Sequence, residues 1–351
     1  MSDAPASLID IAKRVDARID EVLTAEIDRW REVDEVLSEP LEILRQLVLV
    51  GGKRLRPAFC HWAFVAAGGD RDDPAVVNAG AALELLHTFA LVHDDVMDGS
   101  DRRRGLPAVH RHFGDRHVSG EWRGEERRFG EGVAILVGDL AFVYADLLLA
   151  DAPRAALDVF TELRLEVNIG QYLDLLGTVT GDATPDTARR ICRYKSGKYT
   201  VERPLHMGAA LAGRLADLRG PLTAYGDPLG EAFQLRDDLL GAFGDPSRTG
   251  KPVGEDLREG KPTALYAHAR NAASGATAVL LRTRYGAADL TAAEVADLQT
   301  AFVDTGAKAT VEARIDALVE SALDALAAAP IENEARGELH ELARFVAARA
   351  F

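Results

Sequence analysis

The sequence predicts an all-α protein organised as one large domain, and three observations carry that prediction. Apolar residues, mainly alanine and leucine, recur at helical spacing along almost the whole chain, with few alternations of the strand kind. Prolines punctuate these runs at plausible helix starts: Pro40, Pro74, Pro153, Pro185, Pro221 and Pro262. Hairpin signals and a repeat of fixed period are both lacking in the sequence, so helices must bury their apolar faces on one another.

Helical runs are expected over roughly 6–36, 40–50, 54–67, 133–150, 153–177, 186–213, 219–242, 261–272, 291–304, 307–328 and 332–350. The clearest run is "DDPAVVNAGAALELLHTFALVHDDVMD". Asp72 or Asp73 caps its start, Pro74 sits in its first turn, and Gly99 ends it. Val76, Val77, Leu83, Leu86 and Ala90 form its inward stripe. Two stretches read as irregular: 113–132, rich in Gly, Arg and Glu, and 244–260, "GDPSRTGKPVGEDLREG". Helical patterning resumes unchanged after each, so neither is read as a linker and residues 1–351 are read as one domain.

With 351 residues and 47% hydrophobic content the chain can bury a large core, although its length alone would permit two domains. The formal net charge of −15 argues against nucleic acid and anionic lipid as partners. Any anionic ligand must therefore be met by local basic clusters or by metal ions. Cys60 and Cys192 lack CxxC spacing and read as reduced core thiols, which fits the cytoplasm. The N-terminal segment lacks the basic start and apolar core of a signal peptide, and no uncharged run is long enough to span a bilayer.

Acids crowd at the end of the long apolar run. Asp94 and Asp98 lie one turn apart on a helix face, with Asp95 beside them. A helix C-terminus disfavours negative charge, and like charges this close repel unless a cation sits between them. Mg²⁺, which takes hard oxygen ligands, is the simplest candidate. "GEAFQLRDDLLGAFGDP" supplies a second pair, Asp237 and Asp238, also at the end of an apolar run. Two such helix ends facing one cavity would suit Mg²⁺ ions bridging a diphosphate.

Basic clusters complete the pattern. "GGKRLRP" places Lys53 and Arg56 three apart at a helix start, after two glycines that let backbone approach a ligand. His87 lies two turns before Asp94 on nearly the same face. "YKSGKYT" supplies Lys195 and Ser196, and "RTGKPVGEDLREGKPT" supplies Lys251 and Lys261 in a segment with the composition of a mobile lid. Each cluster alone is what a charged helix start or loop looks like. Acids that need a metal together with bases that hold anions directly imply two anionic groups bound at once.

These motifs resemble those of the trans-isoprenyl diphosphate synthases, the polyprenyl synthetase family. "DDVMDGSDRRRG" is similar to the family's first aspartate-rich motif with its RRG, and "FQLRDD" to the second. "GGKRLRP", "ELLHTF", "GQYLDL", "YKSGKYT" and "TGKP…GK" follow in the family's order, over about residues 40–270, and "DDLLGAFGDP…TGKP" is most like actinobacterial short-chain members. The resemblance implies long, mostly antiparallel helices around a deep central cavity, in a homodimer. It implies Mg²⁺, up to three per active site, on Asp94, Asp98 and Asp237 with Asp95 and Asp238 in support. It implies that Arg103, Lys195, Ser196, Gln234, Lys251 and Lys261 grip an allylic diphosphate, that Lys53, Arg56, His87 and Arg104 hold isopentenyl diphosphate, and that Gln171 and Asp174 support the site. Two departures stand out. Gly241 replaces a third aspartate, which would weaken metal binding at that end, and Pro262 follows Lys261 where a basic residue is common.

Product length is expected to depend on the helix bearing Asp94, along which each residue lies about 1.5 Å deeper. Ala90 is small enough to let a chain pass. Phe89 is either the floor of the tunnel or ordinary core packing. As a floor it resembles enzymes that stop at geranylgeranyl diphosphate, with a farnesyl or mixed product as the alternative. A terpene cyclase would share the acids but has no need of Lys53, Arg56 and Arg104. A non-catalytic partner subunit of a heteromeric synthase should have lost acids, and only Gly241 hints at that.

Overall fold

The structure, a computed structural model, describes residues 4–181, 184–244, 254–287 and 289–347. It is mostly helical, as expected, and the only strands among the described residues are a two-residue antiparallel pairing of Arg102–Arg103 with Leu106–Pro107. The chain divides into two compact units. One comprises Ala6–His61 and Asp70–Pro153; the other comprises Trp62–Gly69 and the chain from Arg154 onward.

The N-terminal unit holds α1 (Ala6–Arg31), α2 (Glu39–Leu49), most of α3 (Leu55–Ala66), α4 (Pro74–Asp98), α5 (Val109–Ser119) and α6 (Glu126–Leu148). α1 buries Leu8, Ile11, Val15, Ile19, Leu23 and Ile27, a stripe at three- and four-residue spacing. α4 is the central element, with every residue from Ala79 to Leu86 buried. Its ends follow the sequence expectation: the Asp73 side chain accepts the Ala75 amide, Pro74 opens the first turn, and Gly99 closes the helix in the left-handed conformation. By length and hydropathy α4 could cross a membrane, but 61% of its most apolar stretch is buried in the fold, the pattern of a core helix. Glu84, midway along it, accepts a 2.7 Å bond from Arg54, which also binds Asp16 at 2.7 Å.

The stretch 113–132 is not irregular. α5 runs through its first part and α6 begins at Glu126. Its charges masked an inner face formed by Val109, Phe113, Gly114 and His117. At Gly130 an added Cβ would lie 2.1 Å from the His110 carbonyl oxygen, so glycine there sets how closely α5 and α6 approach.

The C-terminal unit holds α7 (Arg154–Thr180), α8 (Pro185–Ile191), a π-helix (Cys192–Glu202), α9 (Arg203–Leu211) and α10 (Leu215–Phe243). Then follow α11 (Glu255–Glu259), α12 (Ala264–Ala272), α13 (Gly275–Arg284), α14 (Ala292–Asp304), α15 (Ala307–Ala328) and α16 (Asn333–Ala347). Pro221 does not start α10; it lies within it, as does Pro228. The helix expected over 186–213 is three segments with the π-helix in the middle. Cys60 and Cys192 are buried free thiols, and burial pushes Cys60 up to about 12.

A buried ion network ties the π-helix to α7. Glu166 of α7 accepts bonds from Lys198 at 2.8 Å and from Arg203 at 2.6 Å. Burial alone would raise the Glu166 carboxyl, but the bonds and charges of Arg203 and Lys198 hold it below its ordinary value. Arg203 meets His206 Nδ1 at 3.1 Å, and Thr223 links His206 to Glu202 at 3.0 Å on each side. Burial pushes His206 down to about 4, so its ring is neutral at pH 7 and the two cations balance Glu166 and Glu202. Removing one partner from such a network strands the others. Glu166→Ala should therefore lower unfolding free energy by on the order of 3–5 kcal/mol, read by chemical denaturation, whereas Val303→Ala on the exposed side of α14 should change it far less.

Candidate active site

The first aspartate-rich motif sits on the last turn of α4. Asp98 is its final residue, and Asp94 and Asp98, both half-buried, lie one turn apart. Asp95 turns the other way. Its side chain is 1% exposed and accepts the Arg103 Nε at 2.9 Å and a second bond from Arg103 Nη2. The same Nη2 lies 3.6 Å from Asp94. Arg103 thus rests on Asp95 beneath it, with Asp94 at its side, so the guanidinium is oriented before any ligand arrives. The short pairing of residues 102–103 with 106–107 returns the chain so that Arg103 meets α4.

Of the predicted cations, Arg56, Arg104 and Arg103 bear on His87. Burial first, then the charges of Arg56, Arg104, Arg54 and Arg103, hold the His87 ring well below the ordinary histidine range. It is therefore neutral at pH 7. Arg104 is anchored by its Nη1 to the carbonyl oxygens of Leu47 at 3.1 Å and Val50 at 3.4 Å. Arg54, on "GGKRLRP" but not among the expected ligands, is buried against Asp16 and Glu84. It fixes the turn from which Lys53 and Arg56 project: Lys53 is exposed and Arg56 half-buried. Phe89, half-buried on α4, packs edge-on against Phe142 with ring centroids 4.9 Å apart, and against His93 at 4.7 Å. Ala90 beside it is half-buried.

The C-terminal unit gathers the rest. Lys195 and Ser196 ride on the π-helix, and the Lys195 ammonium contacts Asp174 of α7 at 2.5 Å. A Cβ on Gly170 of α7 would lie 2.2 Å from the Lys195 amide nitrogen, so the two backbones touch there. Gln171 is half-buried one residue further along. On α10, Gln234 donates to Asp238 at 2.7 Å. Burial pushes the Asp238 carboxyl up to about 7; the charges of Asp256, Asp237 and Asp174 add to the rise and the Gln234 bond opposes it. Asp237 stays half-exposed beside it. Lys261 pairs with Glu259 at 2.6 Å and lies 3.9 Å from Asp256. Lys251 falls outside the described residues. Pro262, the departure after Lys261, packs against Gly177, where a Cβ would lie 2.9 Å from its ring.

Three features escaped sequence reasoning. Asp256 was one more acid in a lid-like segment. Glu166, Lys198 and Arg203 carry no signal in the sequence that they will meet. The π-helix has no composition signal, though a π-turn beside two phosphate-binding candidates is where such bulges occur.

The profile of the polyprenyl synthetase family, described as "Polyprenyl synthetase", matches residues 37–302. The chain belongs to that family. A crystal structure of geranylgeranyl pyrophosphate synthase from Corynebacterium glutamicum, complexed with isoprenyl diphosphate and magnesium, superposes with a TM-score of 0.91 at 37% identity, covering 97% of this chain and 99% of that one. A geranylgeranyl diphosphate synthase of Mycobacterium tuberculosis is 36% identical over 70% of this chain and 66% of its own length. A geranylfarnesyl diphosphate synthase of Aeropyrum pernix is 34% identical over 64% of this chain and 68% of its own length. As a polyprenyl synthetase, the protein is a trans-prenyltransferase.

The raised carboxyl of Asp238 has a measurable consequence. Its folded value of about 7 lies above its unfolded value of 3.8. Folding therefore carries no cost from this group below the unfolded value; the cost grows as pH rises between the two and stays constant above the folded one. In chelator-containing buffer, Asp238→Asn should melt several degrees above the parent at pH 8, and the two curves should converge as pH approaches 4, measured by calorimetry.

Proposed function

We propose that this polyprenyl synthetase is a short-chain enzyme that makes geranylgeranyl diphosphate, by Mg²⁺-dependent head-to-tail condensation of isopentenyl diphosphate with an allylic diphosphate. The observation that carries the reading is the layout of α4. One end bears Asp94 and Asp98, which need a cation before they can meet an anion. Two turns earlier lies a neutral histidine among four arginines, which meets an anion directly. One kind of site suits a diphosphate that must leave, the other a diphosphate that must only be held.

The donor set fits Mg²⁺. Carboxylate oxygens are hard ligands, the kind Mg²⁺ takes while completing its shell with water and phosphate oxygens. Asp94, Asp98 and Asp237 would hold it, up to three ions in all, with Asp95 and Asp238 behind them. When bound, the ions supply positive charge at the leaving diphosphate. The chain's own residues do the rest. Arg103, steadied by Asp95, and Lys195, steadied by Asp174, hold the leaving diphosphate with Ser196, Gln234, Lys251 and Lys261. Lys53, Arg56, His87 and Arg104 hold isopentenyl diphosphate with its double bond free to attack. Apolar walls keep water from the allylic cation, and the released diphosphate takes the proton, so no side-chain base is required. We read the two compact units as one working domain, and the protein as cytoplasmic.

An exposed apolar stripe on α7, Leu165, Ile169, Tyr172 and Leu176, supports a homodimer. Light scattering should return twice the 37.8 kDa mass of the chain.

The decisive assay feeds isopentenyl diphosphate with dimethylallyl, geranyl or farnesyl diphosphate and separates the products. Each primer should end mainly at geranylgeranyl diphosphate, and accumulation of farnesyl diphosphate would reject the product assignment. Phe89→Ala should shift the product upward by at least one five-carbon unit, because it removes the aromatic ring lodged against Phe142.

A further inference from the structure

Gly241 stands where a third aspartate would complete the second aspartate-rich motif, yet the space beside it is not empty of carboxylate. It follows Asp237 by one helical turn, so a side chain there would project from the same face of α10. A Cβ built on Gly241 would lie 1.7 Å from Asp256 Oδ2, 2.6 Å from its carboxyl carbon and 3.3 Å from Oδ1. Asp256 comes from α11, a separate element beyond the end of α10. Its side chain is 17% exposed, with the Lys261 ammonium 3.9 Å away. Its charge bears on Asp238 more strongly than that of Asp237 does.

We propose that Asp256 is the third carboxylate of the second motif, carried in from α11 because Gly241 leaves room for it, and that it helps Asp237 hold a divalent cation on a diphosphate. This rests on the reading that Asp237 is a metal ligand. The two positions are then one device. Any side chain at 241 would meet the Asp256 carboxylate well inside contact distance, so the glycine and the distant aspartate are required together. The expectation that Gly241 weakens this end of the site is replaced by a count of carboxylates that is unchanged. What changes is the element that carries one of them: metal binding now depends on α11 being seated on α10, so cation, diphosphate and the segment leading to Lys261 are coupled.

The test is a charge transplant in the full-length protein, read as Mg²⁺ affinity by calorimetric titration in the presence of inorganic diphosphate. Asp256→Asn keeps the shape and removes the charge, and should weaken Mg²⁺ binding on the order of 10-fold. Gly241→Asp alone sets two carboxylates in one space and should also weaken it. The double variant Gly241→Asp/Asp256→Gly moves the carboxylate to α10 and should recover most of the loss, a non-additivity that general destabilisation does not produce. Asp237→Asn serves as the control. If it weakens binding while Asp256→Asn does not, the inference fails and the metal reading stands. If neither weakens binding, the metal reading fails and takes the inference with it. If Asp256→Asn weakens binding but the double variant recovers nothing, Asp256 is not the replacement for a residue at 241, and the inference is overturned.

Discussion

Carboxylates on the C-terminal turns of apolar helices are the constraint around which this molecule is arranged. The carbonyl end of a helix carries partial negative charge, and burial strengthens every repulsion there. α4 places Asp94, Asp95 and Asp98 on such an end, and α10 brings Asp237 and Asp238 close to its own. The fold answers part of this charge itself: Arg103 lies on Asp95, Gln234 donates to Asp238, and Lys195 neutralises Asp174. Asp95, Asp238 and Asp174 are buried. Asp94, Asp98 and Asp237 are left half-exposed, and these are the oxygens a cation and its phosphate ligands could reach. The split between buried supporting acid and accessible acid occurs in both motifs, at the second aspartate of each pair.

The supporting structure is correspondingly stiff. Lys195 and Ser196 sit on a π-helix whose extra residue per turn leaves backbone bonds weaker than an α-helix would make. Its position is set by two other means. Glycine lets it touch both neighbours: Gly170 of α7 abuts the Lys195 amide, and Gly197 abuts Gly230 of α10. The charge-balanced set of Glu166, Lys198, Glu202 and Arg203 adds direction, since a buried ion pair tolerates only registers that keep it paired. An apolar core in its place would bury the same surface but permit the helix to slide, and a shift of one residue would move Lys195 off Asp174.

Local and periodic signals were legible in the sequence. The start and stop of α4 were legible in Asp72 or Asp73, Pro74 and Gly99, with Asp73 proving to be the cap, and the clustered charges drew attention to Asp94, Asp98 and Asp237. What was hidden depended on pairing at a distance. Residues 113–132 looked irregular because Arg and Glu line the outer faces of α5 and α6, diluting the apolar period. Pro221 looked like a helix start, yet α10 passes through it and through Pro228 because its neighbours hold it. Lys198 and Arg203 gave no sign of their pairing, since nothing within one helix reveals that Glu166 of another will meet them. Asp256 was invisible for the same reason: its meaning lies in the absence of a side chain at Gly241.

The same reasoning bears on product length. Relatives at 34–37% identity carry different product names, geranylfarnesyl, geranylgeranyl and farnesyl diphosphate synthase among them. Overall similarity therefore does not track chain length, and the determinant must reside in few positions. A position that stops a growing isoprenoid must lie on the element that holds the diphosphate, so that distance from head to floor is fixed, and it must not yield when pushed. Phe89 meets both conditions. It shares α4 with Asp94, about 7 Å along the axis at 1.5 Å per residue, and its ring is braced edge-on by Phe142 and His93. His93 is itself held, with its Nε2 3.0 Å from the Ile135 carbonyl oxygen, and glycine at 138 leaves room for its ring. A lone aromatic in a soft core could swing aside as the chain grows. One clamped between α4 and α6 would act as a wall, and that bracing is what supports our proposal that Phe89 is a floor and not ordinary packing.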